Sequence, residues 1–356
     1  MSKIRIDLNV KLDNRTDLAE HYTPGVGKIV KILSLDPNRS FDLTYRGDFV
    51  SILSNGSSVL GYGDLGPIPM MPVLEGKSLI LRKFGRVNPI PIAIRGTYRD
   101  IYDVAMKIQD NYSLIMVEDV KGPDCIELHD MLNRDLQIPV FNDDMFGSTI
   151  AVLSILKRAL LRLNKSNPRV VLLGAGAAGL TVAKYIRLIG VRDLVVFDSK
   201  GSLNENREDL NQYKLEIAKM YKIPEISLNE ALTGADVFIG FSKGNIINRS
   251  HIDMMNNDAI VFALANPIPE IGEEEAKSSK KIGVYANGRS DNKNQINNAL
   301  VFPSIVSYMA LKQVKLDDKL ITRAIDAIVS YNASTLVPDI FDLRFHNYLF
   351  DQLINK

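Results

Sequence analysis

The 356 residues carry 43 Lys plus Arg against 42 Asp plus Glu, a balance that argues against a nucleic-acid or acidic-membrane partner and for a small molecule. Cys125 is the only cysteine, which excludes an intrachain disulfide framework and a cysteine-based zinc site, as expected of a cytoplasmic protein. The length suggests about two domains, the charged N-terminus has no signal-peptide core, and the longest apolar stretch, Val170 to Ala183, is shorter than the ~20 residues of a membrane span.

His21 to Gly27 combines a Pro-Gly turn with Tyr22 at a helix entrance, where a tyrosine serves packing or chemistry. Phe49–Ser54 and Ser58–Tyr62 read as strands of a hairpin turning at Asn55-Gly56. A glycine-rich loop, Gly61 to Pro67, leads through Pro69 and Pro72 to an amphipathic run from Ser78 to Phe84. Lys77 then sits near a helix N-terminus, where the dipole disfavours an ammonium. It reads either as a general base of lowered pKa or as a snorkelling surface lysine.

A strand at Ile90–Ile94 and a helix from Tyr98 to Gln109 precede the most informative segment. Two buried strands, Tyr112–Val117 and Gln137–Phe141, flank a helix from Pro123 to Asp135. Each strand closes on acidic residues, Glu118-Asp119 and Asp143-Asp144. A crossover helix makes the strands parallel, so both acidic pairs emerge at one sheet edge. Oxygen-only ligands of that kind favour Mg²⁺ or Mn²⁺. The other reading is a solvated turn, with Asp143 or Asp144 capping the helix that starts near Gly147.

That helix runs to Leu163, and Asn164 to Pro168 is the candidate linker. Beyond it, strand Val170–Leu173, the turn Gly174-Ala-Gly176-Ala177-Ala178-Gly179 and a helix from Leu180 to Ile189 match a dinucleotide fingerprint. The first glycine permits the turn, the second admits the pyrophosphate and the third allows close helix packing. Strand Leu194–Phe197 ends in Asp198, at the spacing of the ribose-binding acid, and Ser199-Lys200 offer partners for a 2′-phosphate. NAD and NADP both remain open. Strands at Ala235–Gly240, Ala259–Leu264 and Ile282–Ala286 continue the sheet. Asn266 and Asn297-Asn298 offer amides to a substrate carboxylate or make ordinary turns. The stretch from Ser304 to Lys356 reads as packing or oligomer contacts.

Together these motifs resemble the malic enzymes of the short kind. The resemblance rests on Tyr22-Thr-Pro-Gly-Val26, Val59 to Pro67, Met71 to Lys77, Glu118-Asp-Val-Lys121, Asn142-Asp-Asp144, Gly174 to Gly179, Asp198 to Gly201, Phe262 to Pro267, Gly288 to Asp291 and Asn297-Asn298. It implies an N-terminal α/β substrate domain over 1–146, a Rossmann-type doubly wound dinucleotide-binding domain over 147–310 and C-terminal helices over 311–356. It further implies Glu118, Asp119 and Asp144 as metal ligands with Asp143 beside them, Lys77 as base, Tyr22 as acid, and Asn266 and Asn298 on the substrate. The implied reaction is oxidative decarboxylation of L-malate with NAD or NADP and Mg²⁺ or Mn²⁺ in a homodimer. A malolactic or oxaloacetate-decarboxylating relative and a silent nucleotide sensor are the alternatives. The sequence departs from the family at Asn55, Arg95-Gly96, Met145-Phe146 and Asn292-Lys293.

Overall fold

The computed structural model describes residues 3, 5, 7, 9–59 and 62–355. Two parallel sheets organise them. The first has the order β2-β1-β3-β4, with β1 Phe49–Ser54, β2 Asn88–Ala93, β3 Leu114–Val117 and β4 Val140–Asn142. All three pairings are parallel, with Leu53 opposite Val117 and Val117 opposite Asn142. Every residue of β3 and β4 is buried, as expected of strands covered on both faces. The strand ends are therefore level, and the acidic pairs that follow them leave at one edge.

The expected hairpin does not form. Its second arm falls partly on Leu60 and Gly61, outside the described residues, and Val59 makes only an isolated bridge to Gly63. The apolar run Phe49–Ser54 instead pairs in parallel on both sides. Asn55-Gly56 is a turn out of the sheet, its Gly56 carbonyl accepting from Leu65 and Gly66.

Lys77 also lies elsewhere than expected. One helix runs continuously over Pro67–Phe84, so Lys77 is past its middle. Pro67 occupies the first position, where a missing N–H costs nothing, and only Pro72 interrupts the interior. The helix buries Met70, Leu74, Lys77, Ser78 and Leu81 along one face.

The second sheet, order β10-β9-β8-β5-β6-β7, comprises β5 Arg169–Leu173, β6 Asp193–Asp198, β7 Gly201–Ser202, β8 Val237–Gly240, β9 Ala259–Ala263 and β10 Ile282–Asn287. Only β7 is antiparallel. The chain enters at β5, builds outward through β6, then crosses to β8 on the other side. That reversal is the switch point where doubly wound sheets bind ligands. The protein is thus an N-terminal α/β domain joined to a Rossmann-type domain. Helix Ser148–Arg162 links the two sheets, and the helices Phe302–Lys312, Asp318–Ser330 and Leu343–Ile354 follow. No helix among the described residues is long and apolar enough to cross a membrane.

Candidate active site

At the edge of the first sheet, ligand-type oxygens of Glu118, Asp119 and Asp144 lie within 4.8 Å of one another. Asp119 takes a positive φ of 50°, a conformation Asp tolerates better than most residues. Its backbone N–H donates to Asp144 Oδ2 at 2.8 Å. Burial raises the Asp144 carboxyl to about 7, with the Asp119 charge adding to the effect. Burial likewise raises Glu118, against the pull of the Lys77 ammonium.

Burial also raises Asp143, again opposed by Lys77. Fully buried, Asp143 uses Oδ2 to accept from Lys77 Nζ at 2.5 Å and Asn298 Nδ2 at 2.6 Å. It caps no helix, and neither does Asp144. After β4 the chain makes a π-type turn, Asp143–Gly147, whose cap is the Asn142 side chain accepting from Met145 N–H at 3.2 Å. Such turns concentrate at functional sites. Here the turn aims Asp143 at Lys77 and Asp144 at Glu118 and Asp119. Gly147 is required for it, since a Cβ there would fall 1.9 Å from Asp143 Oδ1.

Lys77 Nζ also pairs with Glu118 Oε1 at 2.9 Å and lies 4.7 Å from the centre of the Phe302 ring. Burial pulls its pKa down, but the Asp143 and Glu118 carboxylates outweigh burial, and the net shift is upward. The lowering expected from a helix N-terminus is absent because Lys77 is not at one.

The carboxylates suit a hard divalent cation. Besides the oxygen donors, Glu118 Oε2 and Asp143 Oδ1 are buried without a hydrogen-bond partner, an arrangement that costs free energy unless a cation or proton satisfies it. The donor set contains no sulfur or imidazole, which favours Mg²⁺ or Mn²⁺.

The glycine turn faces this cluster. Gly174 has φ +118°, and a Cβ on Gly179 would lie 1.9 Å from the Gly174 carbonyl oxygen, so helix Ala177–Tyr185 packs against β5 only with glycine there. A Cβ on Gly176 would meet open space, and this residue caps the helix without a side-chain hydrogen bond. The amides of Ala177 and Ala178 thus lie in the first turn of a helix whose cap offers them no side-chain acceptor. One cavity of about 250 Å³ is lined by Asp144, Ala178, Asn266, Asn297 and Asn298 among others. It joins the acidic edge to the nucleotide turn.

Asp198 ends β6 as expected, already held by cations. Arg207 Nη1 and Nη2 donate to it at 2.8 and 3.1 Å, Lys214 Nζ at 2.7 Å and the Lys200 N–H at 2.9 Å. Burial pushes the Asp198 carboxyl up, but these donors prevail and hold it at about 2. Lys200 Nζ pairs with Asp209 at 2.9 Å, and Ser199 is exposed beside it. Sequence reading missed Arg207, Lys214 and Phe302, because nothing in their local pattern marks a partner so distant along the chain or in a different element.

Tyr22 is not among the groups touching Lys77. It ends helix Arg15–His21, is 66% exposed and makes no side-chain hydrogen bond among the described residues.

A dinucleotide turn set across a cavity from a buried lysine and a carboxylate cluster defines a class: a two-domain nucleotide-binding protein with an acidic reaction centre. The malic enzyme N-terminal domain matches residues 2–97, and the malic enzyme NAD binding domain matches residues 146–340. The NAD-dependent malic enzyme of Geobacillus stearothermophilus is 35% identical over 96% of this chain and 74% of its own length. The bifunctional malic/malolactic enzyme of Bacillus subtilis is 34% identical over 96% and 86%. The crystal structure of the NAD-dependent malic enzyme from Thermotoga maritima has a TM-score of 0.96 at 34% identity, covering 99% of this chain and 96% of that one. The chain belongs to the malic enzyme family.

Proposed function

We propose that the protein converts L-malate to pyruvate and CO₂ while reducing NAD or NADP, with Mg²⁺ or Mn²⁺ bound. The observation that carries this reading is the buried Lys77–Asp143–Asn298 chain beside Glu118, Asp119 and Asp144, in reach of the glycine turn. Glu118, Asp119 and Asp144 would hold the divalent ion, which when bound supplies electrostatic stabilisation of negative charge developing on the substrate's C2 oxygen. Gly174, Gly176, Ala177, Ala178 and Gly179 would cradle the pyrophosphate, and Asp198, Ser199 and Lys200 would meet the adenosine ribose.

Lys77 Nζ would accept the C2 hydroxyl proton, the nicotinamide when bound supplying the hydride acceptor. Asp143 Oδ2, hydrogen-bonded to that nitrogen, holds it in place for the transfer. Asn266 and Asn298 donate amide hydrogens to substrate carboxylate oxygens. After CO₂ departs, Tyr22 returns a proton to C3. The carboxylate lost is C4, the one β to the new C2 carbonyl: the C3–C4 bond breaks and its electron pair passes into the enolate of pyruvate. The single buried Cys125 supports a reducing, cytoplasmic location, and we take the working unit to be a homodimer.

The test is an assay with L-malate that varies nucleotide and metal. Reduced nucleotide and pyruvate appearing in equal amounts, with loss of both on chelation, is the expected result. Lactate without net reduced nucleotide, the reaction suggested by the name of the Bacillus relative, would replace this reading.

A further inference from the structure

Behind the turn that aims Asp143 and Asp144 lies a cavity that the malate chemistry does not use. It measures about 200 Å³ and is walled by helix Asp124–Asp135, the turn Asp143–Gly147, helix Ala177–Tyr185 and helix Gln212–Tyr221. The first two of these elements follow strands of the first sheet and the last two follow strands of the second. The cavity therefore sits on the seam between the domains.

Its inner wall is aromatic. Phe146 stands between His129 and Tyr185, with ring centres 4.9 and 5.8 Å away. The pair Met145-Phe146, one of the places where the sequence departs from the family, supplies part of that wall and is almost fully buried. His129 is buried as well, and its Nδ1 has no hydrogen-bond partner among the described residues. The mouth, by contrast, is charged, with Asp130, Lys184 and Glu216 exposed around it. Lys184 Nζ pairs with Glu216 Oε1 at 3.2 Å. Asp130 is left without a hydrogen bond or ion pair among the described residues, so the mouth carries a surplus of one carboxylate over its single ammonium.

These properties narrow the occupant. Sites for drug-sized ligands run to ~300–1,000 Å³, so this one takes a small molecule. Aromatic rings accept an apolar body, and their faces attract a cation. A carboxylate or phosphate head would find the one ammonium already paired, whereas Asp130 offers an ammonium head a free partner. We infer that the cavity is a binding site for a small amphipathic amine, its apolar body against Phe146 and Tyr185 and its ammonium on Asp130. Such a ligand bridges helices of both domains. None of Lys77, Glu118, Asp119, Asp143 and Asp144 lines the cavity, so the inference does not rest on the malate reading.

The test uses the full chain in saturating Mg²⁺, which keeps an ammonium away from Glu118, Asp119 and Asp144. Phenethylamine is the probe, titrated by calorimetry. Hydrocinnamate has the same ring and spacer with a carboxylate head, and ethylamine has the head without the ring. Saturable binding of one phenethylamine per chain is expected, with the other two compounds at least about fivefold weaker. Asp130→Asn is expected to weaken phenethylamine by about fivefold, the scale of an ion pair at an exposed mouth. Asn133→Trp, which fills the cavity from its rim, is expected to abolish binding; should it fail to fold, Glu216→Trp fills the cavity from the opposite, exposed side. Hydrocinnamate binding as tightly as phenethylamine, or Asp130→Asn without effect, overturns the assignment of an amine. Absence of saturable binding, or full binding by a folded cavity-filling variant, overturns the site. Nothing is read through turnover, so a protein inactive on malate would overturn the proposed function and leave these outcomes unchanged.

Discussion

Lys77 is the residue on which most of the chemistry converges, and its surroundings explain why a lysine is kept there. A buried ammonium costs several kcal/mol unless paired, and here Asp143 and Glu118 pair it while Phe302 covers it. The same carboxylates hold its pKa up, so the service as a base proposed above does not come from an intrinsically low pKa. Replacing Lys77 with Ala removes the acceptor. Malate turnover at saturating metal and substrate is expected to fall by about 10²–10⁴-fold, with circular dichroism unchanged because Asp143 and Glu118 have raised pKa values and can take up protons. Near-normal turnover would displace Lys77 from the role of base. The chemical identity of this residue was legible in the sequence only through the motif around it. Its setting was not, because Pro69, Pro72 and Gly76 read as loop, whereas Pro67 starts the helix and burial of Leu74, Lys77 and Leu81 carries it past the breakers.

At the scale of elements, the π-type turn Asp143–Gly147 converts strand ends into a site. The strands themselves were legible because fully buried parallel strands are short apolar runs, and the crossover helix Asp124–Asp135 fixes their common edge. The turn was not, since a widened turn depends on where Asn142 and Asp143 find partners rather than on periodicity. Likewise the hairpin expectation failed because Asn55-Gly56 is good turn chemistry, while the true partners of β1 lie 39 and 64 residues away in register. Behind the turn, His129 packs against Phe146 with ring centres 4.9 Å apart, and its Nδ1 is buried without a hydrogen-bond partner. Burial lowers this imidazole to about 4. The unfolded chain, with a pKa near ~6.5, therefore binds the proton first. Stability from this residue is full above about pH 6.5 and is lost as pH falls towards 4, by at most about 3 kcal/mol. The denaturation midpoint of His129→Leu is expected to fall less than that of wild type between pH 7 and pH 4.5, the difference between the two isolating His129 from the titrating carboxylates. Parallel pH profiles would show that the imidazole takes up its proton equally in the folded and unfolded protein, against the lowering by burial.

On the scale of the whole molecule, the last helices tie together what the first two-thirds of the chain build separately. Gln313 Nε2 donates to the Ser113 carbonyl at 2.9 Å and Lys315 Nζ to the Asn133 and Leu136 carbonyls at 2.6 and 3.0 Å, all in the N-terminal sheet's surroundings. Arg158, on the helix that links the sheets, donates to four carbonyls of the C-terminal segment: Ile328, Tyr331, Asn332 and Thr335, at 2.6 to 2.9 Å. Arg158 is 7% exposed and has no carboxylate partner among the described residues, so the carbonyl dipoles offset its desolvation. Sequence periodicity showed an apolar face on Asp318–Ser330 but gave no sign that a charged residue on the linking helix anchors the turn after it. Arg158→Met keeps a similar apolar stem and strands these carbonyls in a buried setting. Loss of several charge-assisted hydrogen bonds predicts destabilisation by about 3 kcal/mol or more, read as a drop in urea midpoint and faster proteolysis at 332–335. Lys157 supplies the control on the adjacent position: its pair with Asp326, 2.7 Å apart, is half exposed, and Lys157→Ala is expected to cost less than about 1 kcal/mol. Equal small effects from the two substitutions would mean that the C-terminal segment is held by helix packing alone; a large effect confined to Arg158 would make this one side chain the clasp between the linking helix and the chain's end.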